Sequence, residues 1–311
     1  MNPLHQALDD YLALRQAMGF KMHDAHRLLS QFVDFLNGQG ATFITTAWAV
    51  GWATQPCHVQ PAEWARRLRL VRGFAQYQCA TDPRTQVPSP HLLPYRPQRH
   101  TPYLYSDAEI AQLIEAASRL ASATGLRAGT YVTMVALLAV TGMRISELLA
   151  LDREEVDLQD ALLTMRHTKF RKSRCLPLHP TTPQALCRYG HRRDPVYPIP
   201  KSPSFFVSEK GLRLTPWALR ATFIKLSRQI GLRGPTDSHG PRLHDFRHRF
   251  AIQTLVRWYR EDVDVDRHLP ELSTYLGHVK VSDTYWYVSA TPELLGLATH
   301  RLEQAPRRLS P

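Results

Sequence analysis

The chain is poor in cysteine, and the little it has is unorganised. Cys57, Cys79, Cys175 and Cys187 form no CxxC pair and keep no regular spacing. That argues against a disulfide framework and a structural zinc site, and leaves reduced thiols in a cytoplasmic protein as the expectation. No run of about 18 apolar residues occurs, so no membrane span is expected. The opening MNPLHQALDDYLALRQ is acidic and amphipathic, with no charged segment leading into an apolar one, so it does not read as a secretory signal. A GxxxxGK[ST] loop is missing, and with it the usual cradle for nucleoside triphosphates. Internal repeats and low-complexity tracts are missing too.

What the chain does have is positive charge. Lys and Arg number 39 against 27 Asp and Glu, a formal net charge of +12. A chain this basic, with its basic residues clustered, points to a polyanionic partner, and nucleic acid is the commonest. At 311 residues it is too long for one ordinary core, and a hydrophobic fraction of 43% is enough to fill two.

Residues 1–85 read as helices alone. Leu4, Leu8 and Leu12 step by four, and Leu28, Leu29, Phe32 and Leu36 keep helical spacing. TTAWAVGWA reads as a short helix behind a Thr cap. QPAEWARRLRLVRGFAQYQCA places Pro61 in a first turn and Trp64, Leu68, Val71 and Ala75 on one face. Arg66, Arg67, Arg69 and Arg72 crowd this helix, and a stripe facing a phosphate backbone is the functional reading of them. A Pro-rich linker, 86–101, follows.

From 102 to 311 the reading is α+β: mostly helices with one small antiparallel β-sheet, so the whole chain is mainly α. SDAEI carries a capping box, Ser106 with Glu109, for a helix reaching about Leu120. YVTMVALLAVTG is an apolar helix ending at Gly142, and RISELLAL a short one after it. ALLTMRHTKFRKSRCLPL reads as a β-hairpin with Lys169, Arg171 and Lys172 at its tip. Further helices are expected near 181–190, 216–229, 244–260, 268–276 and 292–303.

Some polar residues in this second part are hard to explain as surface. Arg144 follows a strongly apolar helix, and Glu147 sits three residues on as a natural ion-pair partner. His244 and Arg247 in LHDFRHRF share a helical face, as an anion with a proton to handle would want. His244 and His248 also have the spacing of a zinc-hydrolase ligand pair with Asp245 in the acidic slot. That slot normally holds Glu, no third ligand is placed, and Arg247 would sit beside a dication. In LGHVKVSDTYWYV two tyrosines, Tyr285 and Tyr287, stand two apart and so diverge by roughly 200° on a helix.

Taken in order, TGMRISELLALDREEVDL, HTKFRKSRCLPL, LHDFRHRFAI and LGHVKVSDTYWYV resemble the motifs of the tyrosine recombinases, the phage-integrase family. The resemblance covers about 102–300; the N-terminal part is similar to the family's core-binding domain in size and texture. It implies that Arg144, Lys169, His244, Arg247, His278 and Tyr287 are the catalytic set, with Tyr287 the nucleophile by its spacing of nine from His278. Tyr285 has no counterpart. The chemistry implied is a phosphodiester cut through a 3′-phosphotyrosine and rejoined without ATP, metal or other cofactor. The two arginines would bind the non-bridging oxygens, Lys169 would protonate the leaving 5′-oxygen, and His278 would hydrogen-bond the phosphate.

The resemblance further implies double-stranded DNA with specific sites as the partner, held in a clamp of two domains, and a tetramer on synapsed DNA. Leu294, Leu297 and Leu302 in TPELLGLATHRLEQ form a face that would dock on a neighbouring subunit or pack within the chain. Integration, transposition and chromosome-dimer resolution all fit, and accessory or sister recombinases could take part. A type IB topoisomerase and a non-catalytic DNA-binding protein on the same fold are the alternatives. One departure from the family pattern is WYREDVDVDRHLPELSTY, longer than expected and acidic where a Gly turn is usual.

Overall fold

A computed structural model describes residues 3–94, 101–166, 173–289 and 291–304. The chain divides into two compact units, Met1–His100 and Thr101–Pro311.

Among its described residues the first unit holds four helices: α1 (Pro3–Ala17), α2 (His23–Gly38), α3 (Thr46–Thr54) and α4 (Pro61–Gln78). The Thr45 hydroxyl accepts the Trp48 N–H at 3.2 Å and starts α3. Pro61 stands in the first turn of α4, where its missing N–H costs nothing. The leucines of α1 meet Leu29, Phe32, Val33, Leu36, Trp52, Val71 and Phe74 in one core. Beyond α4 the backbone N–H of Gln86 donates to the Ile44 carbonyl at 2.8 Å, and its side chain accepts the Thr46 N–H at 2.9 Å. The chain is therefore still tied to the first unit at this point.

The second unit holds α5 (Asp107–Ser118), α6 (Leu126–Thr141), α7 (Ile145–Ala150), β1 (Val156–Asp157), β2 (Leu162–Met165), β3 (Arg174–Pro177), α8 (Thr181–Val196), α9 (Pro216–Gln229), α10 (Asp245–Arg260), α11 (Val265–Leu276), α12 (Ser282–Tyr285) and α13 (Pro292–Gln304). The strands form an antiparallel sheet in the order β1-β2-β3, with Leu163 opposite both Val156 and Leu176. The capping box of Ser106 and Glu109 is present at α5. A large core runs from Leu113 and Met134 through Leu148, Leu163 and Leu176 to Phe223 and Phe246. A smaller core joins Ala251, Leu255, Leu269, Leu276, Tyr287 and Leu294.

Three helices differ from the sequence reading in length; α6 begins five residues earlier than YVTMVALLAVTG, at Leu126. α8 runs on through Pro195 to Val196. α11 begins at Val265, because the Asp264 carboxylate caps the Arg267 N–H at 3.2 Å, and it carries Pro270 inside it. The acidic turn before α11 has a local cause: Asp262 takes φ of 54°, a left-handed position that Asp tolerates better than most side chains. α13 packs against α10 of its own chain, with Leu294 fully buried. Leu294 is thus used within the chain while Leu297 is half-buried, and the Arg301 guanidinium donates to the Val263 carbonyl at 2.6 Å.

Candidate active site

The site is built where two helices end. Gly142 closes α6 with φ of 59°, and a Cβ there would come within 2.8 Å of the Phe250 ring, so only glycine fits. The chain then turns into α7, placing Arg144 at its N-cap. Gly277 closes α11 in the same left-handed way, with φ of 68°, and a Cβ would lie 2.5 Å from Arg174 Nη1.

The C-terminal carbonyls of a helix have no partner within it and carry its negative end. Here three successive ones at the end of α11 each accept from a different arginine. Arg174 Nε donates to the Tyr275 carbonyl at 2.9 Å, Arg247 Nη2 to that of Leu276 at 2.6 Å, and Arg144 Nη2 to that of Gly277. Arg247 Nη1 also donates to the Gly142 carbonyl at 3.0 Å, joining the ends of α6 and α11. Glu147 is the carboxylate within this group. It takes two bonds from the Arg174 guanidinium, at 2.8 and 2.9 Å, and two from Arg144, one from its guanidinium and one from its backbone N–H, each at 2.8 Å. Two guanidiniums, Arg144 and Arg174, therefore share one carboxylate, while Arg247 is held by backbone carbonyls alone.

Burial works to raise the Glu147 pKa, but the bonds and charge of Arg174, reinforced by Arg144, outweigh it and hold the carboxyl below its ordinary value. Arg247 is only 2% exposed, and desolvation, helped by the charge of Arg144, lowers its pKa to about 10. It remains a cation at neutral pH, buried where an anion would relieve it.

The histidines and Tyr287 lie beside these arginines. The backbone N–H of His278 donates to the Ser273 carbonyl at 2.9 Å, and its Nδ1 is 2.7 Å from the hydroxyl of fully buried Thr284. Its ring stacks on that of Tyr287, 17° from parallel with centroids 6.2 Å apart. His244 and His248 meet edge to face at 4.7 Å, and His248 Nδ1 lies 3.2 Å from the Tyr287 hydroxyl. Desolvation lowers the pKa of all three histidines, to about 4 for His248 and His278. They are neutral at pH 7.

Tyr287 is 3% exposed and Tyr285 49%, so the two tyrosines do separate, one inward and one outward. The zinc reading of α10 meets a competing interaction. Asp245, its proposed acid, is buried and engaged by Arg242 through a side-chain bond at 2.9 Å and a backbone bond at 2.7 Å. Among the described residues no three His, Cys, Asp or Glu side chains converge as metal ligands.

Arg144, His244, Arg247, His278 and Tyr287 thus gather in one region of the second unit. Lys169, Arg171 and Lys172 lie outside the described residues. Sequence reasoning missed Arg174, which has no local signal beyond a basic hairpin. It met His248 only as a metal ligand, although a spacing of four from His244 already put both on one helical face.

The arginine stripe of α4 needs correction. Arg67 points inward: it is 9% exposed, donates to the Trp52 carbonyl at 2.9 Å and lies over the Trp52 ring at 3.7 Å. Position 67 shares the buried face with Leu68, Val71 and Ala75, which a count of arginines ignores. Arg66 is paired with Glu63 at 2.7 Å and with Asp24. Arg69 is exposed and Arg72 half-buried.

Comparison with known proteins agrees with this geometry. The family model described as the phage integrase family matches residues 104–293. A protein of Sinorhizobium fredii (strain NBRC 101917 / NGR234), an integrase/recombinase y4rB by name, is 47% identical over 308 residues, 98% of each chain. The tyrosine recombinase XerC of Chlamydia caviae is 28% identical over 234 residues, 74% of this chain and 68% of that one. The fold is similar to that of the Tn1549 transposon integrase solved with transposon right end DNA, with a TM-score of 0.65 at 14% identity over 96% of this chain and 99% of that one. The chain belongs to the phage integrase family and is a site-specific DNA recombinase of the tyrosine type.

Proposed function

We propose that this recombinase cuts each DNA strand with Tyr287 and holds the scissile phosphate with Arg144 and Arg247. The observation that carries the reading is the set of arginines anchored on the last carbonyls of α11, next to a buried tyrosine hydroxyl. Charge builds on the non-bridging oxygens as phosphorus is attacked, and guanidiniums already fixed by backbone carbonyls meet it without reorganising. His278, held by Thr284, adds a hydrogen bond to the phosphate, and His244 lines the same place. Lys169 protonates the leaving 5′-oxygen. The 3′-phosphotyrosine keeps the energy of the broken bond, and a 5′-hydroxyl of another strand resolves it.

Both units contact the duplex, Arg69 and Arg72 from the first and Arg171 and Lys172 from the second, and four protomers join two sites. The likeness over nearly full length to an integrase/recombinase supports a role in moving a DNA element.

The test is a nicked duplex that traps covalent protein–DNA, its sequence chosen from a random pool by binding to the full chain. Wild type and Tyr285→Phe are expected to trap and Tyr287→Phe to give nothing. Trapping that survives Tyr287→Phe overturns the assignment.

A further inference from the structure

We propose that His248 is the proton acceptor for Tyr287, so that the residue after Arg247 is itself catalytic. The proposal rests on the reading of Tyr287 as nucleophile. It starts from geometry: the His248 Nδ1 is 3.2 Å from the phenolic oxygen of a side chain that is 3% exposed. The ring is held on two further sides, by His244 edge to face at 4.7 Å and by Trp286 at 5.5 Å. His278 is differently engaged. Its Nδ1 is taken by the Thr284 hydroxyl, and its ring stacks on the Tyr287 ring.

The electrostatics agree. Desolvation lowers the His248 pKa to about 4; His244, Arg242 and Arg247 push the same way and Asp245 opposes them. The imidazole is therefore neutral at working pH and has a lone pair to offer. The phenol can only donate to it if the proton of the neutral ring sits on Nε2. A base this weak does not deprotonate phenol beforehand. It takes the proton as the bond to phosphorus forms, when phenolic acidity rises steeply, and the incoming phosphate charge makes the imidazole more basic.

The step balances. The Tyr287 oxygen bonds to phosphorus and its proton passes to His248 Nδ1. The bond from phosphorus to the 5′-oxygen breaks, and that oxygen takes a proton from Lys169. On rejoining, the incoming 5′-hydroxyl gives its proton back to Lys169 as its oxygen bonds to phosphorus, the phosphotyrosine bond breaks, and His248 returns the proton to Tyr287.

The experiment measures single-turnover covalent trapping by the full chain on the selected nicked duplexes, across pH, for wild type and His248→Asn. Asn offers an acceptor oxygen near Nδ1 and no base. The expected result is trapping about 100-fold slower at neutral pH, with unchanged duplex binding, the deficit shrinking as pH approaches the phenol's own value of about 10. Equal rates, or a deficit constant at every pH, overturn the proposal, the second because it marks a structural role. Nitrogen NMR of the free protein is the independent measurement. The Nε2–H form of His248 near neutral pH supports the proposal, and an Nδ1–H form overturns it. If wild type traps no selected duplex, the assignment of Tyr287 fails and this role with it. If wild type traps and His248→Asn matches it, only His248 is misassigned.

Discussion

Four arginines crowd α4 and three converge on the end of α11, yet the two groups do different things. On α4 the contacts of Arg66 and Arg67 stay within the first unit. Arg66 is neutralised by Glu63 and Asp24, and Arg67 is spent inside the helical core on the Trp52 carbonyl and ring. At α11 the arginines come from 144, 174 and 247, far apart in sequence; Arg144 and Arg174 share Glu147, and Arg247 bonds the Leu276 carbonyl. A run of like residues on one helix must point in several directions, because each step turns it by about 100°. Residues gathered from separate elements are free to point one way. The density of arginine in the sequence is therefore a poor guide to where an anion binds.

Arg247→Gln attacks the convergent group and should have the largest effect. Covalent trapping on a nicked duplex is expected to fall by about 1000-fold, as for loss of one fixed transition-state donor with its charge. Loss of duplex binding in proportion to cleavage would instead make Arg247 a mere anchor.

Glu147→Gln removes the shared carboxylate and leaves Arg144 and Arg174 without a counter-charge. A cost of about 3 kcal/mol in urea unfolding is expected at pH 7, since a broken buried pair leaves charge uncompensated. Because the Glu147 pKa is held below its unfolded value, its contribution is complete above the unfolded pKa and is lost as pH falls through the folded one. The gap between wild type and Glu147→Gln should accordingly be full at neutral pH and close in acid below about 4. A gap that widens in acid would contradict the ion network.

On α4 the expected effects are smaller and of another kind. Arg67→Met should lower stability by about 1–2 kcal/mol through the lost bond to the Trp52 carbonyl, with cleavage per folded molecule unchanged. Arg69→Ala should reduce the salt dependence of duplex binding by about one ion. If Arg67→Met changes that slope and Arg69→Ala does not, the inward and outward assignments are reversed.

Much of this was legible without coordinates. The leucine steps of α1, the Thr45 cap, Pro61 in a first turn, the Ser106 and Glu109 box and the paired hairpin strands are local signals, and local hydrogen bonding or periodicity fixes each. The ion pair of Arg144 with Glu147 was legible for the same reason, being three residues apart on one turn. Arg174 was not, because its partners Glu147 and Tyr275 are distant in sequence. Nor was the bond from His248 to Tyr287, which joins α10 to the turn after α12.

By itself the sequence determined the helices, their caps, the hairpin and the order of the reactive residues, because spacing along one chain sets which side chains share a face. The tertiary structure decided that the end of α11 is where arginines from three elements meet, that Arg67 faces a core, and that His248 holds the Tyr287 hydroxyl. The physical reason lies in the unpartnered carbonyls at a helix end and the low solvent access around them. They bind whatever donors the packing brings near, and packing is a property of the whole chain.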